Sequence, residues 1–465
     1  MNQDLTRNLE CAVAHHRAGR LAEATRCYRD MLERWPLCGE ALHLLGVAEA
    51  QAGNSRKAVE LIKQSLALNP KVPEAHNNLG NAILALGDVR HAIASFRKAL
   101  DLNPDYPEAQ NNLGNALQAD GKPDEAIRAY RRALKLDPDY VDAYSNLGMA
   151  LQAKGRLERS IEAYHRALEL APHSADLRFK HGVALRSAGR PSEAVVALEH
   201  AIGLRSDHSD AHYELGMAHK AAGRVDEAIR CFRRAVELNP ENGSACHVLS
   251  ALTGVTTKTA PRQYVRNLFD GYSSTFEKHL VSELGYRVPG RFRELLLAAP
   301  RRPPKFRNAL DIGCGTGLVG DQVHDLTERM TGVDVSQRMA ESARRKSCYS
   351  RVVVEEAVTF LANTTERFDL FTAADVLIYV GALEELCAAV RQRALDGAYF
   401  VFSTEETKGN DYELRPSGRY AHAETYIRKV AMKNRFVLDA CTREELRKDN
   451  EGWGAGQIFV LNCAS

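Results

Sequence analysis

Small, large apolar and polar positions return every 34 residues across the first half of the chain. One glycine series is Gly46, Gly80, Gly114, Gly148, Gly182 and Gly216, and a second is Gly19, Gly53, Gly87, Gly121, Gly155, Gly189 and Gly223. Ala24, Ala58, Ala92, Ala126, Ala194 and Ala228 form a third, with Ser160 in the remaining slot. Tyr28, Ile62, Phe96, Tyr130, Tyr164, Leu198 and Phe232 form a large apolar series, and Pro36, Pro70, Pro104, Pro138, Pro172 and Pro240 close most units, with Ser206 in the gap. Series in one register predict two antiparallel helices per unit. The first glycine lets the partner helix come close. The second sits at the inter-helix turn, where a left-handed residue costs little. The alanine and the large apolar residue four positions on share one helical face.

Past Thr257 the register is lost. Residues 261–299 read as two or three helices broken at Gly285 and Pro289. Beyond them β-type runs alternate with helical stretches, with strands expected at 308–312, 330–334, 351–354, 368–372, 397–403, 435–440 and 457–461. Such alternation predicts an α/β domain with a mainly parallel sheet and helices on both faces. The last two runs have no helix between them and are expected to pair as a hairpin.

A chain of 465 residues fits two to four domains. Sixty-two Lys and Arg against 60 Asp and Glu leave a net charge of +2, so no overall field recruits nucleic acid or an anionic membrane. There is no apolar run of membrane-spanning length, and the first residues are too polar for a secretory signal. Ten scattered cysteines without a CxxC pair fit a reduced, cytoplasmic protein with no zinc site. His208 and His212 lie one helical turn apart without a third ligand and read as surface histidines.

The candidate chemistry begins at ALDIGCGTGL, residues 309–318. An apolar run ends in Asp311, and Gly313, Gly315 and Gly317 alternate after it. Glycines let a ligand approach the backbone where a strand ends. Asp334 ends the next strand, where a carboxylate can take both hydroxyls of a ribose, or can cap the helix that follows. These features fit a nicotinamide or an S-adenosylmethionine site. Three details favour the second. The spacing is GxGxG, with Leu318 where a dinucleotide fold needs room. Asp311 would repel a pyrophosphate and suits an ammonium and a sulfonium. Glu355 and Glu356 follow the third strand, where an adenine amino group needs an acceptor. Cys314 lies inside the loop with no base nearby in sequence and reads as a small loop residue.

Residues 5–240 resemble the tetratricopeptide repeat in length and at nearly every signature position, giving seven units of an all-α superhelix. ALDIGCGTG, GVDVS and FDLFTAADVLIYVG resemble three motifs of class I S-adenosylmethionine-dependent methyltransferases, in the family's order. The pairing is similar to bacterial chains in which such repeats precede a methyltransferase, with 268–289 and 414–422 as shared segments. The implied division is 1–256 for the solenoid and a capping helix, 257–300 for a helical linker or lid, and 301–465 for the Rossmann-like core. The resemblance implies S-adenosylmethionine as cofactor. It places Gly313, Cys314, Gly315 and Gly317 against the amino-acid part, Asp311 near the ammonium and Asp334 with Val335 at the ribose. Glu356 and Ala357 flank the adenine, and Asp375 lies beside the methyl.

Tyr379 and His422 join Asp375 as catalytic candidates, with Glu405 nearby. His422 can accept a proton near neutral pH or tie helix to sheet. Arg419 and Tyr420 are acceptor-binding candidates; Arg419 can clamp a carboxylate or phosphate, or pair with a carboxylate such as Glu424. Tyr272 and Phe276 are either an aromatic lid or core residues. On the repeats, Asn77, Asn78, Asn81, Asn111, Asn112, Asn115 and Asn146 form an array similar to that of the O-GlcNAc transferase superhelix. Such a ladder can hold a peptide backbone; asparagine there is also common in generic repeats. The expected function is methyl transfer to a protein or peptide held by the repeats. The rivals are a small-molecule methyltransferase whose repeats serve assembly, and a scaffold with an inactive fold.

Overall fold

The computed structural model describes residues 3–272, 276–277, 280, 285–449 and 452–463. It divides into two compact units, Met1–Ser206 and Asp207–Ser465.

The first unit is built from helix pairs: α1 (Gln3–Arg17) and α2 (Leu21–Arg34), α3 (Gly39–Gln51) and α4 (Ser55–Leu68), α5 (Pro73–Ala85) and α6 (Val89–Leu102), α7 (Pro107–Ala119) and α8 (Pro123–Leu136), α9 (Val141–Ala153) and α10 (Leu157–Leu170), and α11 (Ala175–Ser187) and α12 (Pro191–Leu204). The seventh pair, α13 (Ser209–Ala221) and α14 (Val225–Leu238), belongs to the second unit. In every pair but the first, where Ala12 stands in its place, the large apolar residue packs on the first-series glycine. A Cβ on Gly114 would stand 2.5 Å from Tyr130 Cε1, so no larger residue fits without moving the ring. Gly121 turns the chain between the two helices at φ +72°. The first helices of neighbouring pairs also touch one another, so they form one continuous layer through α3, α5, α7, α9 and α11.

In the second unit α15 (Gly243–Thr253) follows α14 and packs on it, and α16 (Arg262–Tyr272) and α17 (Val288–Ala298) lead to the sheet. Pro289 lies in the first turn of α17, where its missing N–H is harmless, and starts that helix instead of breaking one. Gly285 just before it has φ +65°.

The sheet holds β1 (Ala309–Ile312), β2 (Met330–Asp334), β3 (Arg351–Val354), β4 (Phe368–Ala373), β5 (Ala394–Glu406), β6 (Tyr412–Leu414), β7 (Tyr420–His422), β8 (Val437–Asp449) and β9 (Gly452–Asn462). Helices α18 (Leu318–Val323), α19 (Gln337–Arg344), α20 (Ala357–Asn363), α21 (Glu384–Arg393) and α22 (Glu424–Lys433) lie between strands. β3, β2, β1, β4 and β5 are parallel in that order, and β9 lies antiparallel on β5. β8 and β9 form the expected hairpin. Helices cover both faces, which is why β1 and β2 are buried at every position.

The chain runs outward from β1 to β3 and returns to β4 on the other side of β1, so a crevice opens at the carboxyl ends of β1 and β4. The short hairpin of β6 and β7 was not expected from the sequence, since strands of three residues show no alternating pattern. β7 pairs with Glu405 and Glu406 of β5, while β9 holds the other edge of β5 as far as Glu405. β7 therefore occupies the lane of β4, directly beyond its carboxyl end. No helix among the described residues is long and apolar enough to cross a membrane.

Candidate active site

β1 ends in a loop that only glycine can trace. Gly313, Gly315 and Gly317 all have positive φ, at 64°, 54° and 95°. A Cβ on Gly313 would meet Val376 Cγ2 at 2.3 Å, so the loop after β1 and the loop after β4 touch at this glycine. A Cβ on Gly315 would meet only the Gly313 carbonyl oxygen, at 4.0 Å, so that side of the loop is open.

Two carboxylates hold the loop. Asp334 Oδ2 accepts from Gly315 N–H and Oδ1 from Ser336 N–H, both at 2.8 Å. Asp311 is fully buried; its Oδ2 accepts from the Tyr349 hydroxyl at 2.6 Å and its Oδ1 from the Thr372 hydroxyl at 2.7 Å. Burial pushes Asp311 up to about 6, against the pull of those two donors, and pushes Asp334 up to about 6 against its backbone donors. Asp311 has no exposed surface, and through Tyr349 and Thr372 it braces the end of β1 beneath the loop. Ser336, not Asp334, accepts from Met339 N and so caps α19.

Helix α16 lies across the ends of β2 and β4. Arg266 Nε donates to Val335 O at 3.4 Å, Ser336 Oγ donates to Asp270 Oδ1 at 2.5 Å, and the Phe269 ring stands 5.5 Å from that of Tyr379, edge to face. Phe276 stands 6.0 Å from Phe269. Tyr272 ends α16, and its side chain lies outside the described residues. Lys346 ties this region down through Glu277 at 2.8 Å and Asp321 at 2.6 Å.

Asp375, after β4, has φ +56°, a left-handed conformation unusual outside glycine. Its N–H donates to Ser403 Oγ of β5 at 2.9 Å. Glu356 caps α20, its Oε2 accepting from Thr359 N at 2.8 Å, with Ala357 next in the first turn. Cys314 is buried and burial pushes its thiol up, away from nucleophilic use.

His422 and Tyr420 are fully buried. His422 Nε2 donates towards the carbonyls of Val380 at 2.9 Å and Gly381 at 3.0 Å, and burial pulls its pKa down to about 4. Such a ring stays neutral at physiological pH and ties β7 to the loop after β4. The Tyr420 hydroxyl lies 2.5 Å from Thr257 Oγ1. Arg419 pairs with Glu405, Nε to Oε1 at 2.9 Å, while Glu424 pairs with Arg428.

On the repeats the asparagines bond mainly to each other. Asn112 Nδ2 donates to Asn77 Oδ1 at 3.0 Å and Asn146 Nδ2 to Asn111 Oδ1 at 2.9 Å, with Asn77 and Asn111 buried. Asn78 meets His43 at 2.9 Å. Asn115 accepts from the Tyr130 hydroxyl at 2.8 Å, and Asn81 is exposed. His208 caps α13 through Nδ1. Tyr349, Thr372, Ser403 and Asp270 were missed from sequence, since each acts on a residue dozens of positions away and sits in no local motif.

Tetratricopeptide-repeat models match residues 12–63, 111–175 and 209–242, and a TPR-repeat model matches 81–121. A methyltransferase-domain model matches residues 309–397, from β1 to the turn within β5. Nodulation protein S of Bradyrhizobium diazoefficiens is 34% identical over 97 residues, 21% of this chain and 46% of that protein. A ubiquinone biosynthesis O-methyltransferase of Glaesserella parasuis is 34% identical over 116 residues, 23% of this chain and 49% of that protein. The chain thus spans about half the length of these two relatives. The crystal structure of MamA is 29% identical at a TM-score of 0.34, covering 35% of this chain and 95% of that one. The chain is a tetratricopeptide-repeat solenoid joined to a class I methyltransferase domain.

Proposed function

We propose that the chain is an S-adenosylmethionine-dependent methyltransferase whose repeats hold a protein or peptide acceptor. The observation that carries it is the open glycine loop fixed by Asp334 at the switch point of the sheet. The donor set fits the cofactor. Gly313, Gly315 and Gly317 offer bare backbone to its amino-acid part. Each Asp334 oxygen takes one backbone N–H and keeps a lone pair for a ribose hydroxyl. Glu356 and Ala357 stand at the end of β3 for the adenine, and Val335 lies under α16. When bound, the cofactor supplies a methyl already activated on a sulfonium.

What the chain must add is alignment and dryness. Helix α16 covers Val335 and reaches Tyr379, which keeps water from the crevice. Asp375, held by Ser403, points the loop after β4 at the acceptor. We assign His422 and Tyr420 structural roles and leave the acceptor contacts to Asp375, Tyr379 and Arg419. The exposed Asn81 and the outer partners Asn78, Asn112 and Asn146 are the repeat contacts for a peptide; Asn77 and Asn111 position them. Domain limits at 256 and 300, a cytoplasmic location, and the absence of nucleic-acid or membrane partners complete the reading.

Calorimetric titration with S-adenosylmethionine, S-adenosylhomocysteine and NADH tests it. Micromolar binding of both sulfur ligands, abolished in Asp334→Ala, supports the reading; no binding, or unchanged binding in that variant, sinks it. A second reading, a small-molecule acceptor, is favoured by the O-methyltransferase relative. A labelled-methyl assay on the chain lacking 1–206 separates the two: a small acceptor still turns over, and a peptide held by the repeats does not.

A further inference from the structure

Helix α16 crosses the mouth of the crevice. In the sheet β1 lies between β2 and β4. On the β2 side α16 makes three hydrogen bonds: Arg266 Nε to Val335 O at 3.4 Å, Ser336 Oγ to Asp270 Oδ1 at 2.5 Å and Arg338 Nη1 to Asp270 O at 2.9 Å. On the β4 side its Phe269 ring stands 5.5 Å from the Tyr379 ring, the planes at 82°. A helix held at the loops that follow β2 and β4 must pass over the end of β1, where the three glycines turn the chain. Arg266, Phe269 and Asp270 are three and four positions apart, so they share the helix face turned to the crevice. The polar contacts of that face fall on the side that Asp334 marks, and its aromatic contact falls on the side that Asp375 marks.

Phe269 stands between two rings. Phe276 lies 6.0 Å from it, edge to face at 70°, and is itself packed on the apolar cluster that includes Val319 of α18 and Tyr286. Phe269 and Tyr379 are both only half-buried, so aromatic surface remains open beside the crevice.

An aromatic face is electronegative at its centre and attracts a cation placed over it, more strongly where water is excluded. A methyl donor of the sulfonium type differs from its demethylated product by one methyl and one positive charge on sulfur. Apolar cover serves the two alike, whereas an aromatic face serves the charged one.

We propose that Phe269 is a specificity-determining residue of the cofactor site: its ring, set against Tyr379, faces the sulfonium and favours S-adenosylmethionine over S-adenosylhomocysteine. The proposal rests on the methyltransferase reading. Its consequence is turnover, because transfer of the methyl leaves the sulfur neutral and removes the ring's hold on the product.

The test is calorimetric titration of the full chain with S-adenosylmethionine and S-adenosylhomocysteine in wild type, Phe269→Leu and Phe269→Tyr. The readout is the ratio of the two affinities. Phe269→Leu keeps the apolar bulk and should lower S-adenosylmethionine affinity about threefold to tenfold relative to S-adenosylhomocysteine. Phe269→Tyr should restore the ratio. Sinefungin, which carries an ammonium in place of the methyl sulfonium, should follow S-adenosylmethionine. A ratio unchanged in Phe269→Leu, with both ligands weakened equally or not at all, overturns the proposal and assigns the ring to packing. A loss that sinefungin does not share overturns it as well, since charge would then not be what the ring reads. Failure of wild type to bind S-adenosylhomocysteine would strike the methyltransferase reading itself, and the proposal with it.

Discussion

Tyr349 donates its hydroxyl to Asp311 Oδ2 across 2.6 Å, and its ring lies where a Cβ on Gly317 would come within 3.0 Å of it. One side chain thus supports the glycine loop from below and satisfies the buried carboxylate that ends β1. Tyr349→Phe keeps the ring and removes the donor. Asp311 then retains only Thr372, and its pKa climbs further. Leaving one lone pair of a buried acceptor unmet costs about 1–3 kcal/mol. The catalytic unit should melt earlier in calorimetry by that amount, and S-adenosylhomocysteine affinity should fall about threefold to tenfold through the loosened loop. Unchanged stability and affinity would show that the bond does not brace the site.

The two loop carboxylates give pH two opposite effects. Both have folded pKa values raised to about 6, above their ordinary 3.8. A raised pKa favours the protonated form in the fold, so the stability these groups contribute is present at low pH and is lost as pH rises through 6. The loss reaches about 3 kcal/mol per fully buried carboxylate. Ligand binding runs the other way, because protonated Asp334 loses acceptor capacity for a ribose hydroxyl. Calorimetry between pH 5 and 7.5 should therefore find S-adenosylhomocysteine affinity falling below pH 6, while the unliganded catalytic unit gains stability relative to Asp311→Asn. Affinity that stays flat across that window would contradict the assignment of Asp334.

Repeat packing is testable at a single methyl. Gly114→Ala places a Cβ 2.5 Å from Cε1 of the fully buried Tyr130, so the ring must shift. The expected cost is about 1–3 kcal/mol of overpacking. Gly203→Ala, on α12 with nothing within 4 Å, is the control and should be neutral or slightly stabilising. Equal melting of the two variants would refute the close-approach role of the first glycine series.

The last repeat should be inseparable from the catalytic unit. Three hydrogen bonds join the segment 247–257 to the β6–β7 hairpin: His247 to Gly418 at 3.0 Å, Leu414 N to Thr256 Oγ1 at 3.2 Å, and Thr257 to Tyr420 at 2.5 Å. Removing residues 1–206 should leave S-adenosylhomocysteine affinity within about threefold of the full chain, since none of these contacts is touched. Removing 1–256 strips α13 to α15 and uncovers Tyr420. That fragment should aggregate or melt well below the longer one in a thermal scan. Equal melting points would place the boundary after the cap instead.

What could be read from sequence follows from where each constraint lives. The repeat period and the glycine loop were legible because each glycine answers a backbone demand that recurs or lies within a few residues of its cause. The parallel strands were legible because both faces are buried and the runs are continuously apolar. β6 and β7 were not: at three residues each they are too short to show an alternating pattern, although Pro416, Ser417 and Gly418 between them mark a turn. Tyr349 to Asp311 spans 38 positions and Arg419 to Glu405 spans 14, and such pairings depend on the finished sheet. The asparagine array was legible as an array, but its sideways bonding was not, because an exposed and a buried face of one helix present the same residue type.

Asp375 offers the last prediction. It holds φ +56° without being glycine, at the point where β4 ends and β7 begins its lane. Strain of this kind persists where surrounding structure fixes it, here through the bond from Asp375 N–H to Ser403 Oγ at 2.9 Å. Asparagine tolerates the left-handed region nearly as well as aspartate, glycine better, and alanine worse. Stability should therefore rank Asp375→Gly and Asp375→Asn at or above wild type, with Asp375→Ala lower by about 1 kcal/mol. Binding of S-adenosylhomocysteine should separate the conformational role from the chemical one. If the backbone shape alone matters, Asp375→Gly retains affinity and Asp375→Ala loses it. If the carboxylate itself serves the site, glycine and asparagine lose methyl transfer while keeping both fold and cofactor affinity. A stable Asp375→Ala protein with full affinity would mean that neither the left-handed turn nor the carboxylate shapes the crevice.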